Sequence, residues 1–215
     1  MEALANYTAL LMIEKKKGVK ALDDILADYK KDLLTKSEDG RTRESAGPIT
    51  WGVRLGSSLA PSAWNVITYE KGAWIIHMLR RRLGDEKFLA MLRDICQTYR
   101  FRAISTDQFR AEVEKFAPPN SKDLKTFFDT WVYGIGIPAV KLNYSLVGLK
   151  LTGTLEHSEV PDDFTAYVPV EVQTGRQKSV YWLATGSDPA PFSITLKQHP
   201  TKVALLSADS LITQR

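Results

Sequence analysis

A change in hydrophobic spacing at Pro138 divides this sequence into two parts. Before it, as in residues 4–14, apolar side chains recur every three to four positions, which is the spacing of one helix face. After it, as in residues 140–146, apolar and polar side chains alternate, which is the spacing of a strand with one buried face. The sequence therefore predicts an α+β protein, with a helical domain over 1–137 and a small antiparallel β-sandwich over 138–215.

The helical part is predicted to contain six helices. The first two end before Gly18 and near residue 33, the third covers about 65–83, and the fourth about 85–100. Ser105 and Gln108 have the spacing of a capping box for a fifth helix that ends near Phe116. Asn120 or Ser121 caps the sixth. Residues 36–63 are rich in Gly, Ser, Pro and charge, which predicts a long loop.

The second part is predicted to form short strands at 140–146, 164–172, 178–184, 191–197 and 201–206. His157 and His199 lie in segments that we interpret as loops. No carboxylate pair or glycine-rich phosphate loop occurs there, so this part is interpreted as a structural or interaction module.

Composition excludes several classes of protein. Of 215 residues, 44% are hydrophobic and 25% charged, which is typical of a globular protein, and no apolar run is long enough to span a membrane. The net charge of +4 is too small to indicate a nucleic-acid binder. The single cysteine, Cys96, excludes an internal disulfide and a cysteine zinc site, and its helical context predicts a buried, inert thiol.

No complete catalytic pattern is present, because the sequence lacks H-E-x-x-H, G-x-S-x-G and P-loop motifs. His77 lies in an apolar helix and is predicted to be a core residue. Glu2 suits a helix start, and Tyr69 suits a core with a solvated hydroxyl. Gly72 lies inside a predicted helix at a cost of about 1 kcal/mol relative to alanine, which indicates close approach of another backbone or a ligand.

Three segments together resemble the aminopeptidase-N family of gluzincin zinc metallopeptidases. Residues 2–7, Glu-Ala-Leu-Ala-Asn-Tyr, resemble the family's N-E-G-F-A-x-Y helix. Residues 69–88 resemble its Y-x-K-G-A…M-L-R…L-G-D-E-x-F segment. Residues 127–138 resemble F-F-x-x-W…G-x-P, which closes the helical lobe of the family's thermolysin-like catalytic domain and leads into a β-sandwich.

The resemblance implies roles for two residues. Glu2 matches the third zinc ligand, which follows the H-E-x-x-H helix by about 18 residues in the family. Tyr69 matches the tyrosine that donates a hydrogen bond to the tetrahedral oxyanion. The implied activity is zinc-dependent hydrolysis of the N-terminal bond of a peptide substrate, although the resemblance also covers a related epoxide hydrolase activity.

The H-E-x-x-H helix is absent, so we expect this chain to be a peptidase fragment that binds no catalytic zinc and is inactive alone. The alternative is a non-catalytic interaction module descended from such a peptidase. We also expect self-association through the surface left uncovered at the start of the chain, including Tyr7 and Trp74. A third possibility, a basic domain that binds polyanions, rests only on the charge.

Overall fold

The computed structural model describes residues 2–57, 60–117, 124–206 and 210–214. The predicted cap at Asn120 or Ser121 lies outside these ranges. The α-helices are α1 (Glu2–Lys17), α2 (Val19–Leu33), α3 (Ala63–Asn65), α4 (Gly72–Leu83), α5 (Asp85–Thr98), α6 (Thr106–Phe116) and α7 (Leu124–Trp131). None of the helices in these ranges is long and apolar enough to cross a membrane.

Local signals fixed several helix ends as predicted. Gly18 follows α1 with φ of 89°, a left-handed conformation that glycine adopts at little cost. The capping box of α6 is confirmed, because the Ser105 hydroxyl accepts from the backbone N–H of Gln108 and the Gln108 side chain accepts from the backbone N–H of Ser105.

The prediction of a long loop over 36–63 is wrong in part. Two 3₁₀ helices, Arg43–Ala46 and Ile49–Leu55, occupy the middle of this segment. The second bends at Gly52, whose φ of 56° and ψ of −129° suit a residue without a Cβ. In the second helix, Ile49 packs against the main core and Leu55 is buried in a smaller cluster with Ala63 and Ile67, which provides stability that the local sequence pattern does not reveal.

Three predictions about exposure are also wrong. Tyr7 and Trp74 are 1% and 2% exposed, because Tyr7 packs edge-on against Phe88 and the Trp74 indole N–H donates to the carbonyl of Leu26. The predicted exposure of these two side chains at the start of the chain is therefore not found. Cys96 is exposed rather than buried, since it lies outside the apolar stripe of α5 that contains the buried Met91 and Ile95.

The second part forms two three-stranded antiparallel sheets, as the predicted sandwich requires. The strands are β1 (Ala139–Val147), β2 (Lys150–Ser158), β3 (Tyr167–Thr174), β4 (Gln177–Ala184), β5 (Ala190–Thr195) and β6 (Lys202–Leu205). Their orders are β1-β2-β5 and β4-β3-β6. Two-residue turns that begin with left-handed Gly148 and Gly175 join β1 to β2 and β3 to β4.

β2 was not predicted from the sequence, and the prediction that His157 lies in a loop is wrong. In the structure, His157 is buried in β2 and its Nδ1 lies 2.8 Å from the Thr185 hydroxyl. A glycine at position 153 interrupts the apolar alternation of β2. A Cβ there would lie 2.8 Å from the ring of Phe192 in β5, so the gap in the pattern is filled by a side chain from a neighbouring strand.

The helices and sheets share one apolar cluster. Trp131 of α7 packs edge-on against Phe164, with ring centroids 5.6 Å apart, and the Thr130 hydroxyl donates to the carbonyl of Thr165. Arg82, at the end of α4, stacks over the ring of Trp182 in β4. The helical part is therefore packed against the sheets, and a domain division at Pro138 stays a prediction.

Candidate active site

The candidate site lies where the start of α1 meets a long composite helix. Residues Val66–Lys71 form a π-helical segment between α3 and α4, and the flanking Asn65 and Gly72 have helical dihedral angles. π-helical segments are uncommon and frequently occur at functional sites. Tyr69 lies within this segment and is half-buried.

Gly72 allows α1 to approach the composite helix closely. A Cβ at Gly72 would lie 2.6 Å from the Cβ of Ala3 and 3.2 Å from its Cα. The prediction that this glycine marks a close backbone approach is confirmed. Because Ala3 follows Glu2 and Gly72 lies one turn after Tyr69, the contact brings the segments of the two predicted site residues together.

We expect Gly72→Ala to lower the free energy of unfolding by about 1–2 kcal/mol, because overpacking at Ala3 outweighs the usual gain from removing a helical glycine. Urea unfolding measures the change. Combining it with Ala3→Gly relieves the contact and should recover at least half of the loss. A double variant no more stable than Gly72→Ala would show that the contact with Ala3 is not the cause.

Tyr69 is held through its ring and its backbone. Its ring packs edge-on against Trp64, with centroids 5.8 Å apart and planes at 90°. Its carbonyl accepts from the side-chain amide of Asn6 at 3.0 Å. Asn6 lies one turn after Glu2 on α1, so α1 carries Glu2 and also contacts the segment that carries Tyr69.

Glu2 is exposed in the first turn of α1, where a carboxylate also complements the helix dipole. A hydrogen bond from its own backbone N–H lowers the pKa of its carboxyl group, so it is ionised at neutral pH. It borders a mainly apolar cavity of 350 Å³, together with Ala3, Trp64, Thr68 and Gly72. Tyr69 itself does not line this cavity, although its neighbour Trp64 does.

A catalytic zinc ion requires three protein ligands and one open position. Within 2–57, 60–117, 124–206 and 210–214, no group of three or more His, Cys, Asp or Glu side chains could hold a metal ion. Glu2 alone therefore does not fit a catalytic zinc ion, and a site there would need two ligands beyond these residues.

His77 is a core residue, as predicted. It is 3% exposed, and its Nδ1 lies 2.8 Å from the Tyr7 hydroxyl. Burial raises the pKa of Tyr7 to about 12, so the phenol stays protonated.

Arg80 forms paired hydrogen bonds with Glu14 and with Asp85, and so joins α1, α4 and the start of α5.

The sequence did not predict a buried ion pair that involves Lys71, two residues after Tyr69, and Glu44. Lys71 and Glu44 are each 1% exposed, and their Nζ and Oε1 atoms lie 2.6 Å apart. Glu44 comes from the segment interpreted as a loop. Lys71 stands inside the quoted Y-x-K-G-A motif, but nothing in the sequence pairs it with a residue 27 positions away.

Glu70 is a partly buried acid on the same segment. Its Oε2 accepts no hydrogen bond from any residue that the structure describes. Burial, followed by the nearby charge of Asp32, raises the pKa of Glu70 to about 7, and Arg43 opposes the shift. The folded state therefore binds this proton more tightly than the unfolded chain does, and stability falls as pH rises from about 4.5 to 7.

We expect Glu70→Gln to be more stabilising at pH 8 than at pH 5, by about 1–2 kcal/mol, a value reduced for the partial exposure of the carboxyl group. Urea unfolding at the two pH values measures the difference. Glu38→Gln, at an exposed position, serves as the control and should change stability equally at both. An equal effect of Glu70→Gln at both pH values would contradict the prediction.

The fold of this chain is found within a known crystal structure. The fold matches the crystal structure of Legionella pneumophila aminopeptidase A in complex with aspartic acid with a TM-score of 0.61 and 17% identity, over 99% of this chain and 23% of that one. The α+β architecture is thus shared with a segment of that structure.

The sequence then gives the family. The pattern of the peptidase family M1 domain matches residues 1–131, and the chain belongs to this family. It is 30% identical over 143 residues to aminopeptidase A of Gloydius brevicauda, covering 66% of this chain and 14% of that protein. It is 35% identical over 77 residues to aminopeptidase N of Lactococcus lactis subsp. lactis, covering 35% and 9%. The resemblance to the aminopeptidase-N family is therefore confirmed, and the chain spans a small part of its relatives.

Proposed function

We propose that this chain is part of a zinc-dependent aminopeptidase and carries one metal ligand, Glu2, and one oxyanion donor, Tyr69. The observation that carries the proposal is the close approach of α1 and the composite helix at Ala3 and Gly72, which brings the two segments together. Membership of the M1 family supports the same reaction class.

The proposed role of Tyr69 follows from its chemistry. Its phenolic O–H donates to the oxygen of the attacked peptide carbonyl, where negative charge develops during hydrolysis. Because Asn6 holds its carbonyl and Trp64 packs against its ring, little reorganisation is needed to present the hydroxyl. The ionised carboxylate of Glu2 matches the charge of a metal ligand.

We propose that the 215-residue chain alone is inactive, because catalytic zinc takes three protein ligands and no group of three His, Cys, Asp or Glu side chains among the described residues could hold a metal ion. The test compares this chain with the protein encoded when its reading frame is extended upstream, using a chromogenic amino-acid amide with and without zinc. Only the extended protein should show zinc-dependent turnover. Turnover by the 215-residue chain would contradict the proposed inactivity, and an inactive extended protein carrying H-E-x-x-H would contradict the aminopeptidase assignment.

The alternative function is a non-catalytic interaction module derived from such a peptidase, which is compatible with the single donor at Glu2. The genomic sequence upstream of Met1 distinguishes a peptidase from an interaction module. An in-frame H-E-x-x-H motif about 18 residues before Glu2 supports the peptidase. A reading frame without it supports the interaction module.

We also propose that the chain self-associates through the apolar cavity, since Tyr7 and Trp74 are buried. Val53 lines the cavity and is 80% exposed. We expect a dimer at high protein concentration that Val53→Asp weakens about tenfold or more, measured by light scattering over a dilution series. Val147→Asp, at an exposed strand position away from the cavity, should leave the dimer unchanged. A monomeric wild-type chain would contradict the proposal.

A further inference from the structure

The ion pair between Lys71 and Glu44 connects three separate parts of the chain. Lys71 belongs to the π-helical segment, and Glu44 to the 3₁₀ helix Arg43–Ala46. The Lys71 ammonium also donates to the carbonyl of Gly134 at 3.1 Å. Both carboxylate oxygens of Glu44 accept from the backbone N–H of Gly136 at 2.9 Å.

Through these contacts the π-helical segment is hydrogen-bonded to residues 132–138, which connect α7 to β1. Gly134 and Gly136 lie between α7 and β1. The backbone of Gly136 is left-handed, with φ of 114°, and a Cβ there would lie 2.8 Å from the side chain of Val160. The conformation of this connection is therefore tightly restricted, and it provides a rigid anchor for Lys71.

Two contacts hold the segment at and just after Tyr69. Asn6 of α1 donates to the Tyr69 carbonyl, and Lys71, two residues later, donates to Glu44. We infer that Lys71 and Glu44 are positioning residues, which fix the π-helical segment so that the Tyr69 hydroxyl is presented to substrate. This inference rests on the proposed role of Tyr69.

The chemistry of the pair favours a single arrangement. A buried ammonium or carboxylate that lost its partner would carry a large desolvation cost, so sliding or unwinding of the segment is strongly opposed. An apolar pair of similar size would tolerate small shifts without such a cost, because apolar contacts are not directional. The ion pair therefore restrains the geometry of the segment as well as its packing.

The test uses the 215-residue chain with ¹³C-labelled tyrosine, whose ring signals are recorded by NMR. Tyr69→Phe assigns the Tyr69 signal by its loss. Glu44→Gln keeps the side-chain shape and removes the charge, and it should shift or broaden the Tyr69 signal while leaving the exposed Tyr144 unchanged. Restoration of the wild-type signal by the conservative Glu44→Asp variant would support a specific charge requirement.

The control is Glu112→Gln, which removes another carboxylate that is 4% exposed and is paired with Lys115 away from Tyr69. Urea unfolding of the same samples reports stability. If Glu112→Gln shifts the Tyr69 signal as much as Glu44→Gln does, the effect is general destabilisation and the inference is overturned. An unchanged Tyr69 signal in folded Glu44→Gln overturns it as well.

A measurement on the unmodified chain covers the case in which Glu44→Gln does not fold. Native-state hydrogen exchange should show the Gly136 amide opening with the amides of the π-helical segment, at rates within about tenfold after correction for intrinsic exchange. Opening of Gly136 at least about a hundredfold more often than that segment would overturn the inference. Neither measurement needs zinc or turnover. A negative result for the coupling would therefore not contradict the proposed activity, and a negative result for the activity would not contradict the coupling.

Discussion

Replacing Lys71 with methionine is expected to lower the free energy of unfolding by about 3–5 kcal/mol, the cost typical of breaking a buried ion pair from one side. The Glu44 carboxylate would remain 1% exposed and, of its two partners among the described residues, would keep the Gly136 N–H. Methionine has a similar length and flexibility, so the loss reports the charge more than the volume. Urea unfolding at low temperature measures the change.

The second substitution in a double-mutant cycle tests the physical cause. Lys71→Met combined with Glu44→Gln leaves no buried charge, so at least half of the lost stability should return. Lys125→Met breaks an ion pair with Asp129 whose side chains are 74% and 48% exposed, and it should cost about 0.5 kcal/mol or less. A double variant less stable than Lys71→Met would show that removal of charge is not what matters.

Such a loss is a large fraction of the stability of an ordinary domain, which is about 5–15 kcal/mol. The contrast with Lys125 shows why burial decides the outcome. Water replaces a lost partner at the surface, whereas Glu44 and Lys71 lie where water cannot solvate either group. The same substitution therefore gives effects that differ about tenfold in energy at the two positions.

The elements that the sequence predicted well are those set by local chemistry. Ser105 and Gln108 form a capping box through contacts three residues apart, and Gly18 ends α1 through its own dihedral angles. The change of spacing at Pro138 predicted the change from helices to sheets for the same reason, because each periodicity belongs to one type of element.

The features that were missed depend on residues distant in sequence. Phe192 of β5 fills the space left by Gly153 of β2. The apolar pattern of β2 is therefore complete only when β5 is paired with it, and the sequence of β2 alone did not predict a strand. Burial of Tyr7 required the edge-on contact with Phe88, 81 positions later in the chain. Local periodicity does not reveal partners that are distant in sequence. For the same reason, the segment containing Glu44 was interpreted as a loop.

For the candidate site, the family motifs suggested which residues are catalytic, and the structure showed that their segments meet. Spacing alone favoured structural roles for Glu2 and Tyr69, and the family resemblance changed that interpretation. The structure added the contact at Ala3 and Gly72, which brings the two segments together. The catalytic roles of Glu2 and Tyr69 stay predictions.

In the complete peptidase to which we propose this chain belongs, Tyr69→Phe is expected to lower kcat by about 100- to 1000-fold with little change in KM. The phenol O–H would strengthen its hydrogen bond as negative charge develops on the carbonyl oxygen, so its loss raises the transition state more than the bound substrate. Phenylalanine keeps the ring that packs against Trp64, and the fold should be retained. Initial rates with a chromogenic amino-acid amide give both constants.

The matched control is Tyr144→Phe, which removes a hydroxyl from a side chain that is 50% exposed on β1 and should leave kcat unchanged. Equal unfolding midpoints for wild type and Tyr69→Phe would exclude a stability effect. A variant that retained more than about a third of the wild-type kcat would show that Tyr69 does not stabilise the oxyanion. If kcat were unchanged and KM rose instead, Tyr69 would contribute equally to ground-state and transition-state binding, and the role of oxyanion donor would have to pass to another group.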